Sequence, residues 1–426
     1  MILTIAYHTF CEAFRKKILH ILVGLGVFII SLSPFFPTMD EPDAHVKIVL
    51  VVFFQVVILL CISGIIFLAA SSLPGEIEDK TILGILSKPV SRIKIIMGKV
   101  AGFAILSALV LVFLSLMNLI IVYWIASRLP DEYRGILKAR NLYKSSQFHV
   151  QGKANHASRE ILWIEGGRVA VAQWSFSDLY NKSDKRRSYE LELDLKVDSS
   201  KDIVENVPLV VRVEDVFSGE SKTEIISLKI DELLTLKLNS GFIQKSGNIN
   251  VSVFPLSRTD YIGVSQNDAK VYSVYGGFLS NYVKAIFIIF LKFLLIIFIS
   301  VMGSTYLSAP VSIATSLVVF LSGHVLDYVK DFSILIQRYD IHKYNLPTVI
   351  KEPNILLVYF DYIIRKPLEW LTVILPDFKR FDSLNFLLNG INIPPEIIMV
   401  SLGYTILYAV VCLFISYVVF RKREIF

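Results

Sequence analysis

The chain has 426 residues and a formal net charge of +6, and 54% of its residues are hydrophobic while only 19% are charged. With a mean hydropathy of +0.59, this composition excludes an ordinary soluble domain and predicts an integral membrane protein surrounded by a lipid bilayer. The modest net charge gives no reason to expect a nucleic-acid partner. The 3 cysteines lie far apart, in or beside apolar runs, so the sequence predicts neither a disulfide framework nor a cysteine metal site.

The N-terminus is predicted to form an amphipathic helix on the membrane face. Apolar residues recur at helical spacing over residues 2–14, and a basic cluster follows at 15–17. The apolar core and cleavage site of a secretory signal peptide are missing from this stretch, so we expect it to be retained. Six later apolar runs are long enough to cross a bilayer core about 30 Å thick. They lie near residues 19–36, 47–71, 97–126, 283–307, 309–327 and 396–420.

Short basic segments determine the predicted orientation. They precede span one, separate spans two and three, and follow span six, so an even span count places them all on the side that the positive-inside rule identifies as cytoplasmic. The sequence therefore predicts a multi-pass protein of the cell (inner) membrane with both termini in the cytoplasm. The predicted parts are residues 1–127 with spans one to three, 128–277 as an outer domain, and 278–426 with spans four to six.

The outer domain at 128–277 has no long apolar runs. Its segments alternate apolar and polar residues between turn formers, which predicts an extracytoplasmic antiparallel β-sandwich inserted between spans three and four. In the stretch QWSFSDLY, Trp174 and Phe176 share one side of a strand. They either recognise an extracytoplasmic protein or ligand such as a sugar, or fill the sandwich core; we favour the core.

A second outer segment, residues 331–395, is apolar but interrupted by charges and by Pro367. Several central charges make a membrane span unfavourable, at roughly 2.5 to 3.5 kcal/mol each. We therefore predict amphipathic helices on the outer membrane surface. The alternative is that residues 354–376 re-enter the membrane.

Between spans two and three lies the charged segment GEIEDKTILGILSKPVSRIKIIMGK, residues 75–99. We predict that span two ends over residues 71–75 and that a short helix begins at Glu76, because acidic residues suit the positive end of a helix dipole. The apolar stripe of this helix is too short to span and too apolar to lie free in water, so it should press against another surface. The alternative is a well-capped cytoplasmic loop.

This segment resembles the first cytoplasmic loop of ABC-2-type ABC transporter permeases, as do the N-terminal ILTIAYHTFCEAFRKKILHIL, the central STYLSAPVSIATSL and the C-terminal VVFRKREIF elsewhere in that family. The resemblance implies that the segment is a coupling helix that docks on a separate ATPase subunit. It also implies that ATP and magnesium bind to that subunit, and that a second permease copy or a homologous permease completes a dimer. The implied coupling residues are Glu76, Glu78, Asp79, Lys80, Thr81, Leu83, Pro89 and Arg92.

The outer domain is similar to the extended outer domains of a NosY-like or gliding-type subgroup of these permeases. The function implied is transport of a substrate, driven by ATP hydrolysis on the separate subunit. The alternative is a non-transporting membrane scaffold or sensor that transmits ATPase work to outer proteins, or recruits them, through the sandwich.

The chain itself is predicted to be neither an enzyme nor a cofactor-binding protein. It lacks a phosphate-binding G-x-x-x-x-G-K-[ST] loop and the histidine spacing of a metal site. Polar residues inside the predicted spans are the candidates for lining a pathway, or else for hydrogen bonds between helices. These candidates are Lys292, Gln55 and Asn118. His324 and Asp327 share a helical face near the outer end of span five, either on a polar path or as an interfacial cap.

Overall fold

A computed structural model describes residues 1–37, 43–81, 91–129, 137–152, 154–156, 162–165, 167, 170–179, 189–199, 206–228, 234–238, 247–257, 259–337 and 375–422. The chain divides into two compact units. The helical unit comprises Met1–Gly135, Leu279–Asn389 and Ile393–Phe426, and the β unit comprises Ile136–Phe278 and Gly390–Asn392.

The helical elements follow the apolar runs of the sequence. They are α1 (Ile2–Arg15), α2 (Lys17–Leu32), α3 (Ala44–Val51), α4 (Ile58–Glu78), α5 (Arg92–Ala126), α6 (Phe278–Ser304), α7 (Ala309–Gln337), α8 (Leu384–Leu388) and α9 (Pro395–Lys422). A 3-10 turn follows α2 at Ser33–Phe35, a π-helical segment (Val52–Val57) joins α3 to α4, and another 3-10 turn spans Phe378–Phe381.

Five helical segments of the described residues are long and apolar enough to cross a membrane. They are Lys17–Phe35, Ala44–Glu78, Arg92–Ala126, Phe278–Ser304 and Pro395–Arg421. The apolar part of α7, Ala309–His324, is shorter. The chain therefore combines helices long enough to cross a membrane with a β region, as the composition and the alternating segments predict.

The predicted end of span two is wrong. Instead of stopping over residues 71–75, the helix runs without interruption from Ala44 to Glu78, with Pro74 inside it. An internal proline removes one helical hydrogen bond and usually breaks or kinks a helix. Here Leu73 and Pro74 are buried, and the packing of this region outweighs the local preference.

The N-terminal helix forms as predicted, but it also packs closely against α5. Its buried residues are the small Ala6, Thr9 and Ala13. A Cβ added to Gly102 of α5 would lie only 2.6 Å from the carbonyl oxygen of Ala6 and 2.8 Å from Cβ of Thr9. Glycine at this position therefore permits the close approach of the two helix backbones.

The β unit contains thirteen described strands. They are β1 (Lys138–Lys144), β2 (Gln147–Gly152), β3 (Ala154–His156), β4 (Leu162–Glu165), β5 (Ala170–Phe176), β6 (Tyr189–Leu193), β7 (Lys196–Ser199), β8 (Val207–Asp215), β9 (Ser221–Leu228), β10 (Leu234–Leu238), β11 (Ile249–Pro255), β12 (Asp260–Val264) and β13 (Ala269–Gly277). They form three antiparallel sheets in the orders β1-β13-β6-β10, β2-β5-β11-β8-β9 and β3-β4-β12-β7.

The alternating segments of the sequence account for most of these strands. The stretch YELELDLKV, however, divides into β6 and β7, which belong to different sheets. Gly390–Asn392, far along the chain, also joins this unit, because Asn392 N–H donates to the carbonyl of Arg140 at 2.7 Å.

One hydrophobic core unites the inner faces of all three sheets. Trp174 and Phe176 of β5 lie in it beside Leu191 of β6 and Ile262 of β12. Trp174 is 0% and Phe176 1% exposed, and the Trp174 indole N–H donates to the carbonyl of Ser265 at 2.9 Å. Both rings are core residues, so their burial excludes the alternative in which they stack on a sugar or a partner.

Candidate functional site

A buried ion pair joins the end of α4 to the start of α5. Lys99 Nζ lies 2.6 Å from Glu76 Oε1 and 2.7 Å from Ser72 Oγ. Ser72 and Glu76 are one helical turn apart on α4, so both face the same lysine. Lys99 is 1% exposed and Glu76 8%. The other carboxylate oxygen of Glu76, Oε2, is also buried and has no hydrogen-bond partner among the described residues.

This position of Glu76 differs from the predicted one. The sequence places Glu76 on an exposed contact surface at the start of a new helix, whereas its carboxylate points inward from the last turn of α4. A lysine in apolar surroundings is costly unless an anion compensates it, and Glu76 is the residue that reaches Lys99. The surface role predicted for Glu76 is therefore wrong.

The next predicted coupling residues do lie at the surface. Glu78, Asp79, Lys80 and Thr81 are all exposed. Lys80 has a φ of 56°, a left-handed conformation, and Thr81 Oγ1 donates to the carbonyl of Glu76 at 3.3 Å. The chain thus turns away from the helix axis immediately after α4. Leu83 and Pro89 lie outside the described residues.

Arg92, the predicted exit of the coupling segment, is the first residue of α5. Its guanidinium donates to the carbonyl oxygens of Phe420 and Arg421 and lies 5.4 Å from the centre of the Phe420 ring. The start of α5 is therefore fastened to the end of α9.

Two of the three candidate pathway residues have contrasting surroundings. Gln55 is exposed on the π-helical segment. Asn118 is buried, and its amide donates to the carbonyl of Val49 at 3.2 Å while accepting from the Tyr282 hydroxyl at 3.0 Å. Asn118 therefore links helices by hydrogen bonds, which is the alternative use of such a group.

The third candidate, Lys292 of α6, meets His324 of α7. Lys292 Nζ lies 3.1 Å from Nε2 of His324, and the other ring nitrogen, Nδ1, lies 3.0 Å from the carbonyl oxygen of Phe320. A carbonyl only accepts, so Nδ1 carries a proton and donates. Nε2 is then the acceptor for the lysine N–H, which makes His324 neutral in this arrangement.

Aromatic rings enclose the same pair. The centres of the Phe320 and Phe378 rings lie 5.6 and 5.9 Å from Lys292 Nζ. The rings of His324 and Phe378 stack with centres 5.5 Å apart. Asp382 acts on Lys292 electrostatically, but no ion pair of Lys292 is found among the described residues, and Asp382 Oδ1 accepts from the N–H of Leu384 at 3.1 Å.

Neither a protein-family model nor a curated protein sequence matches this chain. Among solved structures, it is similar to the CBM22-1–GH10 modules of endo-1,4-beta-D-xylanase 10B from Clostridium thermocellum, complexed with xylohexaose. That similarity has 15% identity over 33% of this chain and 29% of that chain, with a TM-score of 0.22. TmCBM61 in complex with beta-1,4-galactotriose has 10% identity over 31% of this chain and 86% of that chain, with a TM-score of 0.16. Scores this low do not establish a shared fold.

The β unit carries a separate charged cluster on β1, β6 and β13. Arg140 lies 3.1 Å from Glu190 and stacks over the Tyr272 ring, with 4.5 Å between the guanidinium carbon and the ring centre. Burial, together with the negative charge of Glu192, raises the pKa of Tyr272 to about 12. Burial also raises the pKa of the Glu192 carboxyl. These groups lie on one face of the sheet that contains β1, β13 and β6.

Proposed function

We propose that this chain is the membrane-spanning permease subunit of an ABC transporter, in which a separate ATPase subunit docks on residues 78–88, after the buried Glu76, and drives movement of a substrate. The observation that carries the proposal is the Lys99–Glu76 pair. It joins α4 to α5 immediately before the exposed acidic residues at which the ATPase would bind. The resemblance of the segment to the coupling loop of ABC-2-type permeases adds to it.

The pair gives the proposed coupling a physical route. A force applied by the ATPase at Glu78 and Asp79 acts on the last turn of α4, where Glu76 lies. Because Glu76 is bound to Lys99, α4 and α5 move as one body rather than sliding past each other. Hydrolysis takes place on the partner, which binds ATP and magnesium, and this chain supplies the moving spans.

The proposed topology completes the arrangement. We place a sixth span along α7, both termini in the cytoplasm of the cell (inner) membrane, and the β unit outside it as a sandwich. A second permease copy or a homologous permease forms the other half of the pathway.

Reversal of the exposed charges tests the docking. The full chain is purified in mild detergent as wild type and as a Glu78→Lys, Asp79→Lys variant, and the co-purifying proteins and ATPase activity are measured. We expect the wild type to retain an ABC-type ATPase and the variant to lose it. Glu396→Lys, an exposed carboxylate at the start of α9, is the matched control and should retain it. Absence of an ATPase from the wild type, or full retention in the double variant, would refute the docking.

The scaffold or sensor function is the second candidate, and one feature of the β unit favours it. Phe217, in the turn between β8 and β9, is 85% exposed. The buried Asp215 carboxylate holds that turn, because it accepts from the N–H groups of Phe217 and Ser218 at 3.4 and 3.2 Å and from the Ser218 hydroxyl at 2.6 Å. A rigidly presented aromatic ring suits protein recognition. Loss of an outer protein from Phe217→Ser, with no substrate movement by the wild type in vesicles, would favour this candidate.

A further inference from the structure

We propose that Lys292, oriented by His324, binds an oxyanion of the phosphate class, either as free phosphate or as the headgroup of a lipid. The site lies in the helical unit between α6, α7 and the 3-10 turn Phe378–Phe381. It does not require an ATPase to dock, so it stands or falls separately from the proposed transport function.

Lys292 has more hydrogen-bond donors than the described residues satisfy. An ammonium group has three N–H donors. The hydrogen bond found for Lys292 within the described part of the chain is the one to Nε2 of His324. Two donors therefore remain for an acceptor that this part of the chain does not supply.

The positive charge of Lys292 also favours a bound anion. A lysine within an apolar helix is unfavourable unless an anion, a carbonyl or water compensates it. His324 is neutral in the hydrogen-bonded arrangement and supplies a lone pair but no negative charge. The rings of Phe320 and Phe378 offer their faces, which attract a cation more weakly than a carboxylate does. Asp382 acts on Lys292 electrostatically, but no ion pair between them is found within the described residues, so a bound oxyanion would supply negative charge at hydrogen-bond distance.

The two remaining N–H donors of Lys292 indicate the chemical class of the ligand. A phosphate group has several acceptor oxygens, so a single one can accept from both remaining donors of an ammonium group. His324 fixes the direction of those donors, because its Nδ1–H is held by the carbonyl of Phe320. It acts as a positioning residue. α6 and the first part of α7 are strongly apolar, and such helices lie beside the acyl chains of lipids.

Thermal unfolding of the purified full chain in neutral detergent tests the site. The probes, at constant ionic strength, are inorganic phosphate, dioctanoyl phosphatidic acid, and dioctanoylglycerol, which has the same acyl chains without phosphate. We expect phosphatidic acid to raise the unfolding temperature in a concentration-dependent manner and dioctanoylglycerol to leave it unchanged. Stabilisation by phosphatidic acid alone identifies a lipid headgroup as the ligand, and equal stabilisation by phosphate identifies the free anion.

Substitutions test whether Lys292 binds the phosphate group. Lys292→Gln should weaken binding about ten- to hundredfold, as expected for loss of a hydrogen bond to a charged group. Lys284→Gln removes a lysine from the same helix and should bind as the wild type does. His324→Phe should weaken binding, and His324→Gln, which restores an acceptor, should recover it.

Two results would overturn the proposal. One is a wild type that neither phosphate nor phosphatidic acid stabilises. The other is a Lys292→Gln variant that binds with unchanged affinity. If that variant does not fold, His324→Phe replaces it in the same titration, and unchanged affinity there has the same meaning.

Discussion

Lys99 and Lys292 both lie inside apolar helices of this protein, and their surroundings are opposite. Lys99 is enclosed by Glu76 and Ser72 at hydrogen-bond distance, whereas Lys292 meets the neutral His324 and two phenylalanine rings. Lys99 is buried and Lys292 is half-buried, and of the two only Lys99 forms an ion pair with a carboxylate among the described residues. The paired lysine holds two helices together, and we propose that the lysine without an ion pair binds a ligand.

The same contrast separates the two proposals. In the proposed transport function, the pair at Lys99 makes α4 and α5 move together beside the proposed docking segment. The remaining donors of Lys292 form the proposed phosphate site. Substitutions that remove each lysine should therefore have different consequences.

The largest effect is expected from Lys99→Met. It leaves the Glu76 carboxylate buried without its cation, so the free energy of unfolding should fall by about 3 to 5 kcal/mol. Chemical unfolding of the purified chain in detergent measures this difference. Glu78→Gln, which changes an exposed carboxylate two residues away, is the control and should change stability by less than about 0.5 kcal/mol.

The double variant Glu76→Leu, Lys99→Met distinguishes a charge effect from a loss of packing. Replacing both members of a buried ion pair with apolar residues is often neutral or stabilising. We expect the double variant to recover most of the stability lost by Lys99→Met while losing coupling to the ATPase. If the double variant is as unstable as the single one, the pair is not the source of the effect.

A smaller effect is expected from Lys292→Met. This change removes a charge that has no carboxylate partner, so the desolvation cost disappears along with one hydrogen bond. We expect the free energy of unfolding without ligand to change by no more than about 1 kcal/mol. The same unfolding assay measures it. A loss of about 3 kcal/mol or more, comparable to that of Lys99→Met, would mean that Lys292 is compensated in the same way and would remove the contrast.

The smallest effect is expected from Glu192→Gln, which extends the comparison to the β unit. Burial raises the pKa of the Glu192 carboxyl, while Arg140 and Lys270 oppose that shift. The folded state therefore retains the proton at a pH where the unfolded chain has lost it. The stability contributed by Glu192 is greatest in acid and falls as pH rises above the unfolded value of about 4.3.

Glu192→Gln abolishes this pH dependence. The variant should be more stable than the wild type at neutral pH by at most about 1 kcal/mol, because the group is only half-buried and solvent screens it. Unfolding of the full chain, followed by near-ultraviolet circular dichroism over a pH series, measures the difference. Glu220→Gln, exposed in the turn after β8, should show no such gain. If Glu192→Gln is less stable than the wild type at neutral pH, the conclusion that folding raises the pKa of Glu192 is contradicted.

The sequence predicts the helices and strands better than it predicts which side chains contact one another. Five of the six predicted spans coincide with helices of spanning length, the apolar helix at the fifth predicted span is shorter, and alternating segments form antiparallel strands. Alternation along β5 also favoured Trp174 and Phe176 as core residues, which their burial supports. The sequence places Lys292 inside one predicted span and His324 near the end of another, but nothing in the local pattern connects them.

The sequence does not predict the buried contact between Lys99 and Glu76, and the reason is the same for both residues. Lys99 belongs to the basic segment between spans two and three, so the sequence assigns it a part in orientation, and Glu76 is predicted at the surface as the acidic start of a helix. The spacing of Ser72 and Glu76 by one helical turn was the available signal, but it pointed to a pair only once the helix was known to continue through Pro74.

By itself the sequence determined which stretches are helical and apolar, where strands alternate, and that an acidic segment leaves α4, because hydropathy and periodicity are properties of neighbouring residues. Only the tertiary structure decided which charges are compensated. Lys99 finds Glu76 at 23 residues' distance along the chain, Lys292 finds His324 at 32, and Tyr282 reaches Asn118 at 164. Such partnerships depend on how helices pack against one another, and the free energy of burying a charge is set by whichever group that packing brings within hydrogen-bond distance.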